Sequence, residues 1–240
     1  MGCVFCASGL AGLARNLTAA EIVEQALRIG RLVRKRYDDM DHPISNVVFM
    51  GMGEPFYNLD RVIAAIERLN ADWGMGIGLN RITVSTVGVE GGVMKLAAHP
   101  LAPNLALSLH GPNDEIRARV VPFAKALPVA ELLAEGVKYQ QKTGKEVTCE
   151  YVMLGDINSA PEHAKELAKR LSGKGLKVNL IPYNAVGGLP YEPPGTRAVA
   201  EFSRILEAAG IPAPVRRARG DRIAAACGQL RLRKIGAVES

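Results

Sequence analysis

Apolar positions fall into two patterns along this chain: a helical stripe near its start, and short apolar runs that alternate with helical stretches from there on. Thr18 followed by Glu21 has the form of a capping box, and Ile22, Ala26, Ile29 and Val33 then recur on one face, which predicts an amphipathic helix over residues 18–36. After the break at Asp41, His42 and Pro43, the run 46–50 reads as a strand, and a helix pattern follows from 60 to 70. The alternation then repeats, with strand 81–86 and helix 89–98, strand 104–109 and helix 114–120, and helix 129–143 and strand 146–153. It ends with helix 161–172, strand 177–182, helix 197–209 and a short strand near 214–217. Near-continuous apolar strands separated by helices imply a parallel sheet with its crossovers outside. Five or six such units suit either an open doubly wound sheet or a curved, partly closed barrel, and periodicity does not choose between them.

Either way, ligands bind at the carboxyl ends of the strands. Four segments follow their strands directly and so share that rim: Gly51 to Pro55, Ser85 to Gly88, Ser108 to Gly111, and Pro182 to Asn184. Taken singly, Ser85, Ser108, His110 and Asn184 are each ordinary strand-end residues; together on one rim they point to a polar small-molecule site. Gly53 lets the backbone approach a ligand closely, and Glu54 offers a carboxylate to an ammonium group.

The 240 residues are 48% hydrophobic and 22% charged, and the mean hydropathy is near zero, as in one globular domain, read here as residues 1–240. No stretch reaches the roughly 18 apolar residues of a spanning helix, and the first residues lack the form of a signal peptide, which leaves a cytoplasmic setting as the expectation. The net charge of +6 is concentrated: residues 214–240 hold seven Lys or Arg against two acids, and Arg28, Arg31, Arg34, Lys35 and Arg36 close the first helix. These clusters fit a polyanion such as RNA. They equally fit a solvated face and a helix terminus complementing its dipole.

Four cysteines are too few for a disulfide scaffold. Cys3 and Cys6 stand two residues apart, a spacing that serves zinc, an iron–sulfur cluster or a redox pair, and that also occurs incidentally in loops. Cys227, before Gly228 and near several arginines, is the best nucleophile candidate, since a positive surrounding lowers a thiol's pKa; a buried structural cysteine is the alternative. Cys149 alternates inside a strand and reads as structural. Gly74, Gly76 and Gly78 have neither the preceding strand nor the spacing of a dinucleotide fingerprint.

In order, these segments resemble the radical S-adenosylmethionine (SAM) enzymes, and within them the RlmN family of dual-specificity RNA methyltransferases. The markers are Gly2-Cys3-Val4-Phe5-Cys6-Ala7-Ser8-Gly9, Arg15-Asn16-Leu17-Thr18, Gly51-Met52-Gly53-Glu54-Pro55, Ser108-Leu109-His110 with Pro112-Asn113-Asp114-Glu115, Glu150-Tyr151-Val152-Met153-Leu154, Leu180-Ile181-Pro182-Tyr183-Asn184, and Arg219-Gly220-Asp221 with Ala226-Cys227-Gly228-Gln229-Leu230.

The resemblance implies an α/β fold, a partial (β/α)6 barrel whose 4Fe–4S cluster sits on a Cys-x3-Cys-x2-Cys loop and binds SAM through one iron. Cys3 and Cys6 match the second and third cluster ligands. Gly53, Glu54, Ser85, Ser108, Leu109, His110 and Asn184 match SAM contacts, and Cys227 matches the cysteine that becomes S-methylated before a SAM-derived radical activates its methyl group. Such enzymes methylate carbon 2 of adenine in 23S rRNA and some tRNAs, drawing electrons from a donor such as flavodoxin; a monomer is expected. A Cfr-like relative acting on carbon 8 uses the same motifs, and a catalytically dead RNA-binding module would keep the barrel and basic tail. The family's first cluster cysteine would stand two residues before Met1, so the expectation is a chain truncated inside its cluster loop. It would lack the first barrel strand and the small N-terminal domain and hold a cluster poorly.

Overall fold

A computed structural model describes residues 2–6, 12–37, 42–50, 52–123, 126–185 and 189–216. The capping box forms as the sequence predicts. Thr18 Oγ1 accepts from the Glu21 N–H at 3.2 Å, and the Glu21 carboxylate accepts from the Thr18 N–H at 2.8 Å. Helix α1 (Ala19–Arg36) begins there and ends on Arg34, Lys35 and Arg36, the charge placement a helix dipole favours. Its contact face differs by one position from the predicted stripe. Ile29 is 53% exposed, and Gly30 is buried instead, against Pro43 and Ile44. The row that packs is Ala26 to Gly30 at i, i+4, with Pro43 and Ile44 of the next loop lying over Gly30.

Five strands follow: β1 (Val47–Phe49), β2 (Ile82–Thr86), β3 (Asn104–Ser108), β4 (Val147–Met153) and β5 (Lys177–Pro182). All neighbours are parallel, and the order across the sheet is β1-β2-β3-β4-β5. A doubly wound sheet reverses its order at a switch point, whereas this sheet runs straight through, as a barrel does. The intervening helices are α2 (Leu59–Asn70), α3 (Gly92–Ala97), α4 (Asp114–Val120), α5 (Val129–Thr143), α6 (Gly155–Asn158), α7 (Pro161–Leu171) and α8 (Thr196–Ala208).

Most boundaries fall within a residue or two of those predicted. Helix α3 starts later than expected because Gly91, at φ 69°, interrupts the turn before it. The one-turn α6 was not foreseen. The strand expected near 214–217 is, in its described part, a single parallel bridge between Val215 and Leu180, on the free edge of β5. Residue 217 lies outside the described residues.

The strands prove less uniformly apolar than their sequences suggest. Alternate residues, among them Ile82, Val84, Leu105, Leu107, Val147, Cys149, Tyr151, Met153, Val178 and Leu180, enter one core with the helices. The opposite face carries a polar row, Thr83, Ser85, Ser108, Thr148, Glu150 and Asn179, with Ala106, Val152 and Ile181 among them. The helices therefore cover one face, and the other is left for a ligand or a lid. Cys149 is fully buried in the helix-side core, which with the neighbouring Glu150 pushes its thiol up to about 12, as a structural cysteine requires. Among the described residues no helix is long and apolar enough to cross a membrane.

Candidate functional site at the carboxyl rim of the sheet

A second apolar cluster lies beyond the strand ends. Val87 after β2, Val120 and Val121 at the end of α4, Val152 and Leu154 around the end of β4, and Tyr183 after β5 pack together, and Cys3, Val4 and Phe5 rest on them. The cysteine pair is thereby fixed to the rim. The Cys6 N–H donates to the Cys3 carbonyl at 3.0 Å, closing a turn, and the Val4 N–H donates to the Val120 carbonyl at 3.1 Å. Phe5 meets the His110 ring edge-on, 5.1 Å between centroids. Both thiols are half-buried. Burial, and next the neighbouring Cys6, push the Cys3 thiol up to about 11. The free Cys3 thiol therefore stays protonated at neutral pH.

Glu54 follows β1 and ties it to β2. One carboxylate oxygen accepts from the Phe56 N–H at 3.1 Å, capping a single 3₁₀ turn (Pro55–Asn58), and the other accepts from the Val87 N–H at 2.9 Å. Burial raises its pKa, opposed by these bonds and one from Thr86. A carboxylate has about four lone-pair positions, so the bracket leaves acceptor capacity for a ligand ammonium. Gly53 precedes it at φ 120°, a conformation L side chains rarely adopt. Gly51 lies outside the described residues. The Ser85 hydroxyl donates to the Phe49 carbonyl at 2.9 Å and so braces the same two strands.

At the end of β3, Ser108 is half-buried in the polar row. Leu109, by contrast, buries its side chain in the helix-side core, and its N–H donates to the Glu150 carbonyl at 3.1 Å. Only its main chain reaches the rim. His110 is 5% exposed and has φ 56°, a left-handed conformation that costs a non-glycine residue of order 1–3 kcal/mol. Two bonds hold it there. Its Nδ1 accepts from the Val152 N–H at 3.1 Å, which places the ring proton on Nε2, and its carbonyl accepts from Asn158 Nδ2 at 2.8 Å. Burial, aided by the positive charge of Arg117, lowers its pKa to about 3.

An unfolded histidine takes up its proton near pH 6.5, so between pH 6.5 and 3 the unfolded chain binds more protons than the folded one. Stability supplied by neutral His110 is complete above pH 6.5 and falls as pH drops, by up to about 1.4 kcal/mol per unit. Urea unfolding at pH 7 and pH 5 should show this slope, and His110→Gln should flatten it. Equal slopes in both proteins would contradict the burial argument.

Asn158 in α6, which sequence inspection missed, organises this corner. It is fully buried; its Oδ1 accepts from the Leu154 N–H at 2.7 Å, and its Nδ2 donates to the Val152 carbonyl at 2.7 Å and to His110. Asn158→Ala strands three buried main-chain groups, each costing about 1–3 kcal/mol, so a loss of about 3 kcal/mol or more is expected in urea unfolding at pH 7. A loss below about 1 kcal/mol would show that water replaces the amide.

Two further residues were missed. Glu150 on β4 stands in the polar row between its register partners Ser108 and Asn179, and accepts from Asn179 Nδ2 at 2.8 Å; burial raises its pKa. Arg117 on α4 is 5% exposed, and its guanidinium binds the carbonyls that end β2 and β3. Asn184 follows Tyr183, whose N–H donates to the Met153 carbonyl at 3.1 Å, and is half-buried at the same rim. Cys227, the segment Ala7-Ser8-Gly9 and the arginines at 217, 219, 222, 231 and 233 with Lys234 lie outside the described residues.

A one-sided parallel sheet, wound in sequence, with a cysteine turn on its carboxyl rim, is the scaffold of a barrel-type enzyme. The pattern of the radical SAM superfamily matches residues 1–193, and the chain belongs to that superfamily. Within it, the chain is 47% identical over 231 residues to a probable dual-specificity RNA methyltransferase RlmN of Rhodopirellula baltica, covering 96% of this chain and 61% of the relative. It is 43% identical over 236 residues to the ribosomal RNA large subunit methyltransferase N of Nitrosopumilus maritimus, covering 98% and 66%. A radical SAM methyltransferase from Sphaerobacter thermophilus superposes with a TM-score of 0.89 at 43% identity, covering 95% of this chain and 66% of that one. The chain thus spans between 61% and 66% of the length of these proteins.

The superfamily implies a 4Fe–4S cluster and SAM. The described residues fit them at two points: a half-buried pair of thiols in an apolar seat suits iron and sulfide, and Glu54 with the polar row suits an amino-acid and nucleoside ligand. Among the described residues no group of three or more metal-binding side chains is assembled, and Cys3 and Cys6 are the two thiols seated at this rim.

Proposed function

We propose that this chain is the catalytic core of an RNA methyltransferase that modifies carbon 2 of adenine in 23S rRNA, and in some tRNAs, through an S-methylated Cys227. The observation that carries the reading is the seating of the Cys3 and Cys6 turn on the same rim as Glu54, Ser108, His110 and Asn184. The identity to RlmN proteins over nearly the whole chain supports the RNA substrate.

In this reading Cys3 and Cys6 hold the cluster, and Gly53, Glu54, Ser85, Ser108, His110, Asn184 and the main chain of Leu109 bind SAM. When bound, cluster and SAM supply the one-electron chemistry that a carbon as weakly nucleophilic as adenine C2 requires. The residues do the rest. Glu54 receives the ligand's ammonium while its bonds to Phe56 and Val87 keep the carboxylate aimed. His110, held neutral, presents a hydrogen-bond donor at Nε2 and adds no positive charge to the rim. The apolar seat of residues 3–5 shields the thiols from water.

The last described residues run toward this rim. Residues 212–216 run parallel to β5, with the Leu180 N–H donating to the Pro214 carbonyl at 3.0 Å and the Arg216 N–H to the Leu180 carbonyl at 2.8 Å. The described chain therefore heads for the carboxyl end of the sheet eleven residues before Cys227.

The test is transfer of labelled methyl from SAM to a 23S rRNA fragment by the anaerobically reconstituted full-length protein, with mass spectrometry of the product nucleoside. 2-Methyladenosine is expected. 8-Methyladenosine would replace this reading by the carbon-8 activity, and salt-sensitive RNA binding without any product would leave a binding module.

A further inference from the structure

The cation-rich end of α1 and the exposed Trp73 meet at one cavity far from the rim. Helix α1 starts beside the rim, where Asn58 Nδ2 donates to the Leu17 carbonyl at 2.8 Å, and its 18 residues carry its other end about 27 Å off. There a cavity of about 220 Å³ opens between the helix, the loop before β1 and the loop after α2. Arg31, Arg34 and His42 line its polar side, and Leu27, Pro43 and Met75 its apolar wall. Arg28 is taken by Glu24, 2.7 Å away, and Arg36 lies over the Tyr37 ring. Among the described residues no ion pair includes Arg31 or Arg34. A helix dipole accounts for cations in the last turn, but Arg31 stands a turn earlier, and both residues border the cavity.

Trp73 is the chain's one tryptophan and is 81% exposed. It belongs to the loop whose next two residues, Gly74 and Met75, line the cavity. The Ala71 carbonyl accepts from the Gly74 N–H at 2.9 Å and the Gly76 N–H at 3.2 Å, and a Cβ on Gly74 would fall on the Arg68 carbonyl. The turn is therefore tight, and it leaves the indole in water. The acids nearest in sequence are Asp72, exposed beside it, and Asp38, Asp39 and Asp41, outside the described residues; five cations between 28 and 42 outnumber those last three. An exposed indole beside unpaired arginines suits single-stranded nucleic acid, with a base stacked on the ring and phosphates on the cations. An apolar partner would not call for the arginines, and a free anion would not call for the indole.

We propose that this face docks the RNA away from the rim, with a backbone phosphate between Arg31 and Arg34 and a base on Trp73. This rests on the reading of the chain as an RNA methyltransferase. A stem of about nine base pairs, at roughly 3 Å each, spans the distance to the rim.

The experiment uses Trp73 as its own reporter: intrinsic fluorescence of the full-length protein titrated with a 23S rRNA fragment, alongside anisotropy of the labelled RNA at several salt concentrations. RNA should quench the emission. The double variant Arg31→Gln with Arg34→Gln should bind about tenfold more weakly, with a salt slope smaller by about two. Trp73→Ala should also lose about tenfold but keep the slope, because stacking carries no net charge. All three residues are exposed, so the variants keep the fold. RNA binding with unchanged emission, and with the variants equal to wild type, would overturn the proposal and leave the RNA substrate standing. Wild-type protein that binds no RNA would sink both. Equal quenching by inorganic phosphate would reduce the face to an anion pocket, and emission that depends on protein concentration alone would assign it to a second copy; either result overturns the proposal.

Discussion

Replacing Cys3 or Cys6 by alanine will leave the reconstituted protein without its iron–sulfur chromophore and without measurable methyl transfer, while its fold survives. The two thiols share one turn closed by the Cys6 N–H to the Cys3 carbonyl, and no group of three metal-binding side chains exists among the described residues. A lost thiolate therefore has no substitute within reach. The fold should tolerate the change because the turn lies on the rim cluster and not in the main core, and both cysteines are only half-buried. A stability loss of about 1 kcal/mol is expected for each, typical of a point substitution away from a core. Iron and sulfide analysis with urea unfolding checks both halves. Wild-type iron content in both variants would remove Cys3 and Cys6 from the ligand set, and the rim would need another function.

Local signals in the sequence carried far. The capping box at Thr18 and Glu21, the strand and helix alternation, and the placement of four polar segments on one rim all follow from nearest-neighbour chemistry, and the structure has them. The choice between barrel and doubly wound winding did not follow, because strand order and the covered face are decided by which helices pack where. The polar row shows how that ambiguity hid the site. Thr83, Thr148 and Asn179 look incidental among valines and leucines, and Glu150 is one polar residue in the middle of an apolar strand, until the register sets Ser108, Glu150 and Asn179 side by side. Ile29 failed for a related reason: a helical stripe fixes a face only to within one position, and Gly30, with no side chain to attract notice, is where the next loop packs.

The residues that hold the rim together were harder to see, since their partners are main-chain groups distant in sequence. Asn158 reaches His110 across 48 positions, and Arg117 reaches Val87 across 30. An asparagine after a strand reads as a turn residue, and an arginine on a short helix reads as surface charge. The physical content appears only when burial and hydrogen bonding are accounted together: His110 takes a left-handed backbone, Asn158 satisfies the carbonyl this exposes, and Arg117 fills the acceptors at the ends of β2 and β3. Strain and buried polar groups thus gather where the cysteine turn is seated, as at sites whose geometry serves chemistry before stability.

Cys227→Ala should abolish methylated RNA product while leaving cluster content and SAM binding at wild-type levels, which separates it from the Cys3 and Cys6 variants. The argument is chemical. In the proposed reaction the methyl group is first parked on an atom that accepts it by ordinary displacement, and a thiol followed by Gly228 and near several arginines is the chain's best such candidate. Cys149 cannot stand in for it: it is fully buried against Tyr151 and the helices, with its thiol raised to about 12 and turned away from the polar row. Loss of a nucleophile with no substitute lowers turnover by about a thousandfold or more, here to background. Cys227→Ser should fail as completely, because a hydroxyl has neither the thiol's acidity nor its nucleophilicity. Methyl label recovered on the wild-type protein after digestion, confined to the peptide holding Cys227 and missing in both variants, would confirm the intermediate. Wild-type turnover in Cys227→Ala would refute it, and direct transfer from SAM to RNA would then have to be explained without a protein thiol.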